Sequence, residues 1–260
     1  QRARRDGRRA RWNNYCAEIL LDSDVIDSDR LASHLIAANR LGEAIPPLLD
    51  AAMAFRERHE NQMASRYAIR AVRVAKKLGL AAADPIMNRA RIIWGACTGL
   101  LLENQFASLR HLRRAVQIAR RSDDDAMLAS AIIELYLLEW TQDGDTRNAL
   151  AGCREAVELA ARAGDVAVEI QGLERLVKHL LEMDERSEVR AMLDRALSRL
   201  PADDQSSRRG KLLIRKALLV KLDGHEQQAL DILGEALVEG QRTGSRWVEA
   251  MAEMRFGEIR

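Results

Sequence analysis

The sequence predicts an all-α protein in which antiparallel helix pairs stack into a solenoid. The 260 residues are 47% hydrophobic and 31% charged but only 4% aromatic, and the chain contains four prolines. Abundant Ala, Leu, Arg and Glu favour helices. Apolar residues recur three and four positions apart, as in AMLASAIIELYLLEW at 126–140, which is the spacing of a buried helical face. Similar segments also recur about every forty residues, a spacing typical of stacked supersecondary units.

The repeat is visible in five helical segments that share small and apolar positions. They are RAVRVAKKLG at 70–79, RAVQIARRSD at 114–123, EAVELAARAG at 155–164, RALSRLPADD at 195–204 and EALVEGQRTG at 235–244. Their starts are 44, 41, 40 and 40 residues apart. One unit of this size cannot bury its apolar face alone, so we expect each unit to pack on its neighbours.

Turn signals divide the chain into thirteen expected helices, two per repeat. Glycines that can adopt the left-handed conformation are expected to close helices at Gly79, Gly164 and Gly244. Asp84 is expected to cap a helix that begins at Pro85. The expected helices lie near 7–21, 29–39, 43–58, 61–78, 86–102, 105–121, 124–141, 145–163, 165–183, 185–200, 206–223, 225–243 and 245–260.

Small residues with one recurring spacing mark the expected crossings within helix pairs. The three sets are Ala52, Ala64 and Ala71; Ala96, Ser108 and Ala115; and Ala217, Ala229 and Ala236. Over 43–243 this pattern resembles the tetratricopeptide repeat (TPR), which implies a right-handed superhelix of antiparallel helix pairs. The period is nearer 40 than the family's ~34, which implies longer helices or loops. Leu137 and Val177 occupy a usually small position, which leaves the geometry of those two crossings open.

A second resemblance lies near the N-terminus. The run DRLASHLIAANRLGEAIPPLLDAAMAF, followed by YAIRAVRVAKKLG, resembles the start of the helical-repeat region of STAND-type signalling ATPases, including LuxR-type activators and multidomain kinase regulators. The matching residues are Leu31, Ala32, His34, Ala38 and Ala44. The resemblance implies a regulatory arm that senses a ligand or protein and controls a distant output domain.

The expected organisation has three parts. These are a basic segment with entry helices at 1–42, a TPR-like array of about five helix pairs at 43–243, and the start of a further, truncated repeat helix at 244–260. The chain begins with Gln and stops within a helical pattern, so we expect it to be part of a longer protein. Three scattered cysteines and no apolar signal segment indicate a cytoplasmic protein.

The sequence contains no complete motif for catalysis, metal binding or nucleotide binding. No Gly-rich phosphate-binding loop occurs. His225-Glu226 begins like a zinc-protease motif, but Ala229 stands where the second histidine would be. The acidic run at 22–29 lacks the glycine of a calcium loop and is better explained by helix capping. We therefore expect no catalytic residue, no metal and no cofactor in this chain.

The expected binding surface is the concave groove, which the first helix of each TPR pair lines. Transferring that placement from the resemblance gives an apolar half and a charged half. The apolar residues are Leu49, Met53, Ile93, Cys97 and Leu100, and the charged or polar ones are Glu134, Gln171, Glu174, Lys178, Lys211 and Lys221. An apolar groove would accept an amphipathic helix, and the charged half would fix its register.

The sequence therefore predicts a binding and regulatory scaffold in a signalling regulator. The expected occupant of the groove is a protein, a peptide or a small effector, and the exposed solenoid ends suggest a homodimer. A net charge of +2 indicates no general attraction to membranes or nucleic acids. Two alternatives stay open. One is a domain that recruits substrate to an attached kinase or ATPase. The other is nucleic-acid binding through the arginine-rich start and helices such as RHLRRAVQIARR, which would show steep salt dependence.

Overall fold

The computed structural model describes residues 2–23, 26–58, 60–99, 101, 105–201 and 203–259, with side chains from residue 7 onward. Within these ranges the chain forms thirteen α-helices and no strand, as the sequence predicts. The helices are α1 (Arg2–Leu21), α2 (Ser28–Ala37), α3 (Leu41–Glu57), α4 (Asn61–Lys77), α5 (Pro85–Gly99), α6 (Gln105–Ser122), α7 (Asp125–Asp143), α8 (Thr146–Ala163), α9 (Val166–Glu182), α10 (Arg186–Arg199), α11 (Arg208–Leu222), α12 (Glu226–Thr243) and α13 (Arg246–Ile259).

Helix ends follow the predicted turn chemistry. Gly79, Gly164 and Gly244 all have φ between 65° and 74°, the left-handed conformation that a side chain would disfavour. The Asp84 carboxylate accepts a hydrogen bond from the backbone N–H of Ile86 at 2.9 Å, at the start of α5. These local contacts set where one helix stops and the next begins, and thereby the length of each repeat.

Side-chain caps also fix three helix starts from residue 124 onward. The carboxylates of Asp124, Asp145 and Asp165 each accept a backbone N–H three residues further on, at 2.9 to 3.1 Å. Each cap satisfies one of the backbone donors that an α-helix leaves unpaired at its N-terminus. The first helix of two successive pairs, α7 and α9, is therefore locked at its start.

The chain divides into two compact units, Gln1–Asp123 and Asp124–Arg260. In the first unit each helix from α1 to α6 packs on the next, and α3 also packs on α5. In the second unit α7 to α13 pack in order, and α7, α9, α11 and α13 form a second series of contacts. Within each unit, first helices thus stack on first helices, as the TPR resemblance implies. The sequence-based boundaries at residues 42 and 243 stay predictions.

The predicted crossing positions are buried in all three pairs that carry them. Each of the nine side chains is between 0% and 6% exposed: Ala52, Ala64, Ala71, Ala96, Ser108, Ala115, Ala217, Ala229 and Ala236. Ser108 uses its hydroxyl there, since its Oγ lies 2.6 Å from the Oγ1 of Thr98. Small side chains let two helix backbones approach closely, so the recurring alanines mark the contact within each pair.

At the α7–α8 crossing, Leu137 occupies the position where a small residue is usual, and the close contact between the helices is made elsewhere. Leu137 is only partly buried, and the close approach is made at Gly152 of α8. A Cβ at Gly152 would lie 2.1 Å from Cδ2 of Tyr136, well inside van der Waals contact. At the other exceptional position, Val177 is fully buried within the core of α9 and α10. Both crossings that the sequence left open are therefore packed without the usual alanine.

Replacing Ala229 by leucine is expected to lower the free energy of unfolding of the second unit by about 1–3 kcal/mol, because the larger side chain overpacks the α11–α12 contact. Urea denaturation followed by circular dichroism measures the change. Ala151→Leu is the matched control, since Ala151 is exposed on α8. Equal midpoints for the two variants would contradict the placement of Ala229 at the crossing.

Candidate functional site

A cleft of about 370 Å³ lies in the second unit. It is bounded by α9, α11 and α13, which pack against one another in that order. Its walls combine two chemistries. The apolar lining residues are Leu181, Ile214, Leu218, Trp247 and Met251, and the charged ones are Lys178, Glu182, Lys211, Arg215 and Arg255.

Polar contacts join the first helices of successive pairs beside this cleft. The Glu134 carboxylate on α7, which is 4% exposed, accepts a hydrogen bond from the Gln171 amide on α9 at 2.8 Å. One step along, the Glu174 carboxylate on α9 accepts a hydrogen bond from Arg215 on α11 at 3.4 Å. The side chains of Glu174 and Arg215 are largely buried, and burial lowers the pKa of Arg215. These bridges fix the register between neighbouring helices of the cleft.

Lys178 is held in place from two sides. Its Nζ lies 3.3 Å from the centroid of the Trp140 ring and 3.7 Å from the Glu182 carboxylate. Burial is the largest influence on its pKa and lowers it. The neighbouring His179 packs edge-on against Trp140 and pairs its Nδ1 with Glu182 at 3.1 Å. The lysine charge therefore occupies a defined position at the rim of the cleft.

The α13 wall contributes an aromatic ring and a cation. Lys211 lies 5.7 Å from the ring of Trp247, which is 36% exposed. Arg255 pairs with Glu258 at 2.6 Å, while its Nε is buried and donates no hydrogen bond to any described residue. A buried donor without an acceptor is costly, so an anionic or carbonyl group entering the cleft would stabilise this wall.

The remaining charged residue predicted for the groove lies just beyond this cleft. Lys221 on α11 lines a small adjoining hollow of about 10 Å³ and donates a hydrogen bond from its Nζ to the backbone carbonyl of Glu258 at 3.1 Å. Among the sequence-predicted residues, the structure thus brings Lys178 and Lys211 together in the cleft. It places Glu134, Gln171 and Glu174 in the bridges beside it.

The apolar residues predicted for the groove lie in the first unit, and most of them are buried there. Leu49, Ile93 and Cys97 are between 0% and 7% exposed and belong to one core cluster, on which the half-buried Met53 packs. Leu100 lies outside the described residues. The packing of α3 on α5 accounts for this burial. A binding role for these residues stays a prediction.

Sequence reasoning missed the α13 side of the cleft. Gln171, Lys211 and Met251 are spaced forty residues apart, so they occupy equivalent positions in successive repeats. Arg215 and Arg255 are equivalent in the same way. Extending the repeat register by one unit would therefore have found both residues. Treating α13 as the start of an incomplete unit hid this signal.

The described residues contain no group of three His, Cys, Asp or Glu side chains positioned to hold a metal ion. Two of the cysteines, Cys97 and Cys153, are buried, and burial raises the pKa of Cys153 to about 11. None of the described helices has the length and apolar character needed to cross a membrane. The cleft offers apolar contacts, cations and hydrogen-bond donors, which are the means of non-covalent recognition.

No protein-family model matches the sequence, and no curated protein matches it significantly. Solved structures match the fold. A Rap protein in complex with competence and sporulation factor has a TM-score of 0.59 at 16% identity, over 90% of this chain and 70% of its own. The TPR-like repeats of a Podosopora anserina kinesin light chain have a TM-score of 0.54 at 13% identity, over 77% of this chain and 96% of their own.

A third solved structure is a STAND protein with a tetratricopeptide repeat sensor from Pyrococcus horikoshii. Its TM-score is 0.55 at 15% identity, over 85% of this chain and 35% of its own. The fold is a TPR-like α-solenoid. In this TPR-like fold, α9, α11 and α13 are the first helices of successive helix pairs. The cleft lies where these three helices pack against one another.

Proposed function

We propose that the second unit is a scaffold that binds an acidic, amphipathic peptide segment in the cleft between α9, α11 and α13. The observation that carries this proposal is the composition of the lining: five apolar side chains, four cations and one carboxylate. Apolar anchors supply most of the affinity in such sites, while charged groups at the rim orient the partner. A partner with carboxylates along one face would match both features.

The size of the cleft suits a few anchoring side chains of a longer partner. Its volume of about 370 Å³ lies at the low end of the range for pockets that enclose a whole small ligand. A peptide helix could place one or two apolar residues between Trp247 and Met251, and its carboxylates would then lie near Lys211 and Arg255. The Nε–H of Arg255, which donates to no described residue, gives this partner one further donor to satisfy with a carboxylate or carbonyl oxygen.

We also propose a regulatory role for this surface. A partner that contacts three first helices at once stabilises one arrangement of those helices relative to others. Two proteins of similar fold support this idea in general terms, one bound to a competence and sporulation factor and one described as a sensor in a signal-transduction ATPase. We place the chain in the cytoplasm, as the helical-repeat arm of a larger signalling regulator that acts by binding rather than by catalysis.

Fluorescence anisotropy with labelled peptides tests the cleft. The probes are an amphipathic helical peptide with glutamates on its polar face and the same peptide with lysines there. The acidic peptide is expected to bind, and Trp247→Ala is expected to weaken it about tenfold, because exposed aromatic residues are frequent binding hot spots. Trp12→Ala is the matched control, since Trp12 is exposed in the first unit. Equal binding of both peptides, or no effect of Trp247→Ala, would contradict the proposal.

A further inference from the structure

The near-neutral charge of the whole chain conceals a strong division between the two units. The first unit, residues 1–123, contains 22 Lys and Arg against 13 Asp and Glu, a net charge of +9. The second unit contains 19 against 26, a net charge of −7. The excess of positive charge on the first unit attracts polyanions. The basic surface of the first unit is separate from the cleft described above and does not depend on it.

Two helices carry much of the positive charge. The α4 segment NQMASRYAIRAVRVAKK and the α6 segment QFASLRHLRRAVQIARRS each contain five Lys or Arg and no Asp or Glu. Eight of the ten cations are arginines. Both helices pack on α5, so they flank it as the second helices of successive pairs.

The cations lie on the outward faces of these helices. On α4 they follow the spacing of one helical face, at positions 66, 70, 73 and 77, and on α6 they lie at 110, 114 and 121. The opposite face of each helix is buried: it carries Ala64, Ala68 and Ala71 on α4, and Leu112 and Ala115 on α6. Each basic row spans twelve residues, a length of about 16 Å.

Six of the ten cations lack a carboxylate partner among the residues that the structure describes. Arg66, Arg73, Lys76, Arg110, Arg114 and Arg121 form no ion pair with any described residue. Cations from three helices also meet around one imidazole. Burial, with the charges of Arg91, Arg110 and Lys76, lowers the pKa of His111 to about 4. A surface with this unbalanced charge attracts a polyanion.

We propose that α4 and α6 form a surface that binds the phosphate backbone of double-stranded nucleic acid. Duplex DNA presents about one negative charge per ~1.7 Å of its axis, so a 16 Å row faces several phosphates. Arginine suits this role because its planar guanidinium donates two parallel hydrogen bonds to a phosphate. Contacts of this kind position a protein on a duplex without reading its base sequence.

The exposed apolar residues favour a duplex over the two competing polyanions. Single-stranded nucleic acid is bound by successive aromatic rings on which bases stack, and an anionic membrane is bound by apolar side chains that enter the interface. Large exposed apolar residues on these helices lie only at their ends, at Leu78 after α4 and Phe106 at the start of α6. Within the two rows the exposed side chains are Arg and Lys, apart from Gln117.

Fluorescence anisotropy with labelled duplexes of about 20 base pairs, long enough for several phosphate contacts, tests the proposal on the full chain. Duplex DNA and duplex RNA are the two probes, and either one binding supports the surface and identifies the source of the phosphates. Four to six phosphate contacts predict a slope of roughly −4 to −5 when the logarithm of the binding constant is plotted against that of the salt concentration. A slope near zero would overturn the proposal.

Two double variants locate the contact. Arg66→Glu with Arg73→Glu, and Arg110→Glu with Arg114→Glu, are each expected to weaken duplex binding at least tenfold and to reduce the slope by about 2. Arg→Gln versions give a smaller loss in the same direction, and thermal melting confirms folding. The control is Arg147→Glu with Arg246→Glu, which makes the same charge change at exposed arginines of the second unit.

Three outcomes would overturn this inference. An equal loss in the control would show that only the total charge matters. Stronger binding to single strands than to duplexes would assign the rows to another nucleic acid. Binding to phosphatidylserine vesicles without binding to duplexes would assign them to a membrane surface. None of these results bears on the peptide cleft, since its residues are unchanged.

Discussion

Replacing Glu174 by leucine is expected to lower the free energy of unfolding of the second unit by about 3 kcal/mol. Glu174 and Arg215 are 15% and 19% exposed and pair at 3.4 Å between α9 and α11. Removing the carboxylate leaves the guanidinium largely buried without its counter-charge, and breaking a buried ion pair from one side is strongly destabilising. Urea denaturation followed by circular dichroism measures the change.

The double variant Glu174→Leu with Arg215→Met is the control for this pair. It removes both charges and replaces them with apolar groups, which is often close to neutral. We therefore expect it to recover most of the stability that Glu174→Leu loses. If the single variant were as stable as the unmodified protein, the pair would be solvated through the cleft, and its role in fixing helix register would be refuted.

Gly152→Val is expected to cost about 1–3 kcal/mol through overpacking of the α7–α8 crossing. A Cβ at this position would lie 2.1 to 2.5 Å from three atoms of the Tyr136 ring. Relief requires either rotation of the Tyr136 side chain out of its packed position or separation of the two helices. The loss outweighs the few tenths of a kcal/mol that valine gains over glycine in helix propensity. Thermal and urea unfolding both report this effect.

Gly234→Val provides the comparison, because a Cβ at Gly234 on α12 meets nothing within 4 Å. The same substitution in a helix of the same unit should then change the free energy of unfolding by less than about 0.5 kcal/mol. Similar destabilisation of both variants would mean that helix propensity, rather than contact with Tyr136, sets the cost at Gly152.

The repeat architecture could be predicted because it depends on local and periodic features. Helix caps such as Asp84 and left-handed glycines such as Gly164 act within a few residues of their own position. The crossing alanines recur with a fixed spacing, so one pair predicts the others. The use of Gly152 at the α7–α8 crossing could not be predicted, since it depends on the side to which the Tyr136 ring turns.

The candidate site was predicted only in part. Lys178 and Lys211 line the cleft on first helices, where the placement implied by the TPR resemblance puts them, and their role in binding stays a prediction. Leu49 and Cys97 were placed on the groove by the same reasoning, yet the packing of α3 on α5 buries them. A sequence pattern gives the face of a helix only approximately, and the angle at which the next helix crosses decides which of its residues stay accessible.

The contact between Lys178 and Trp140 has a kinetic consequence. An ammonium group that already rests on an indole ring gives up little rotational freedom when a carboxylate arrives. Different acidic partners should then reach the cleft at similar rates, because the lysine charge is already in position. They should differ in how long they remain bound, so selection among them would be made by dissociation.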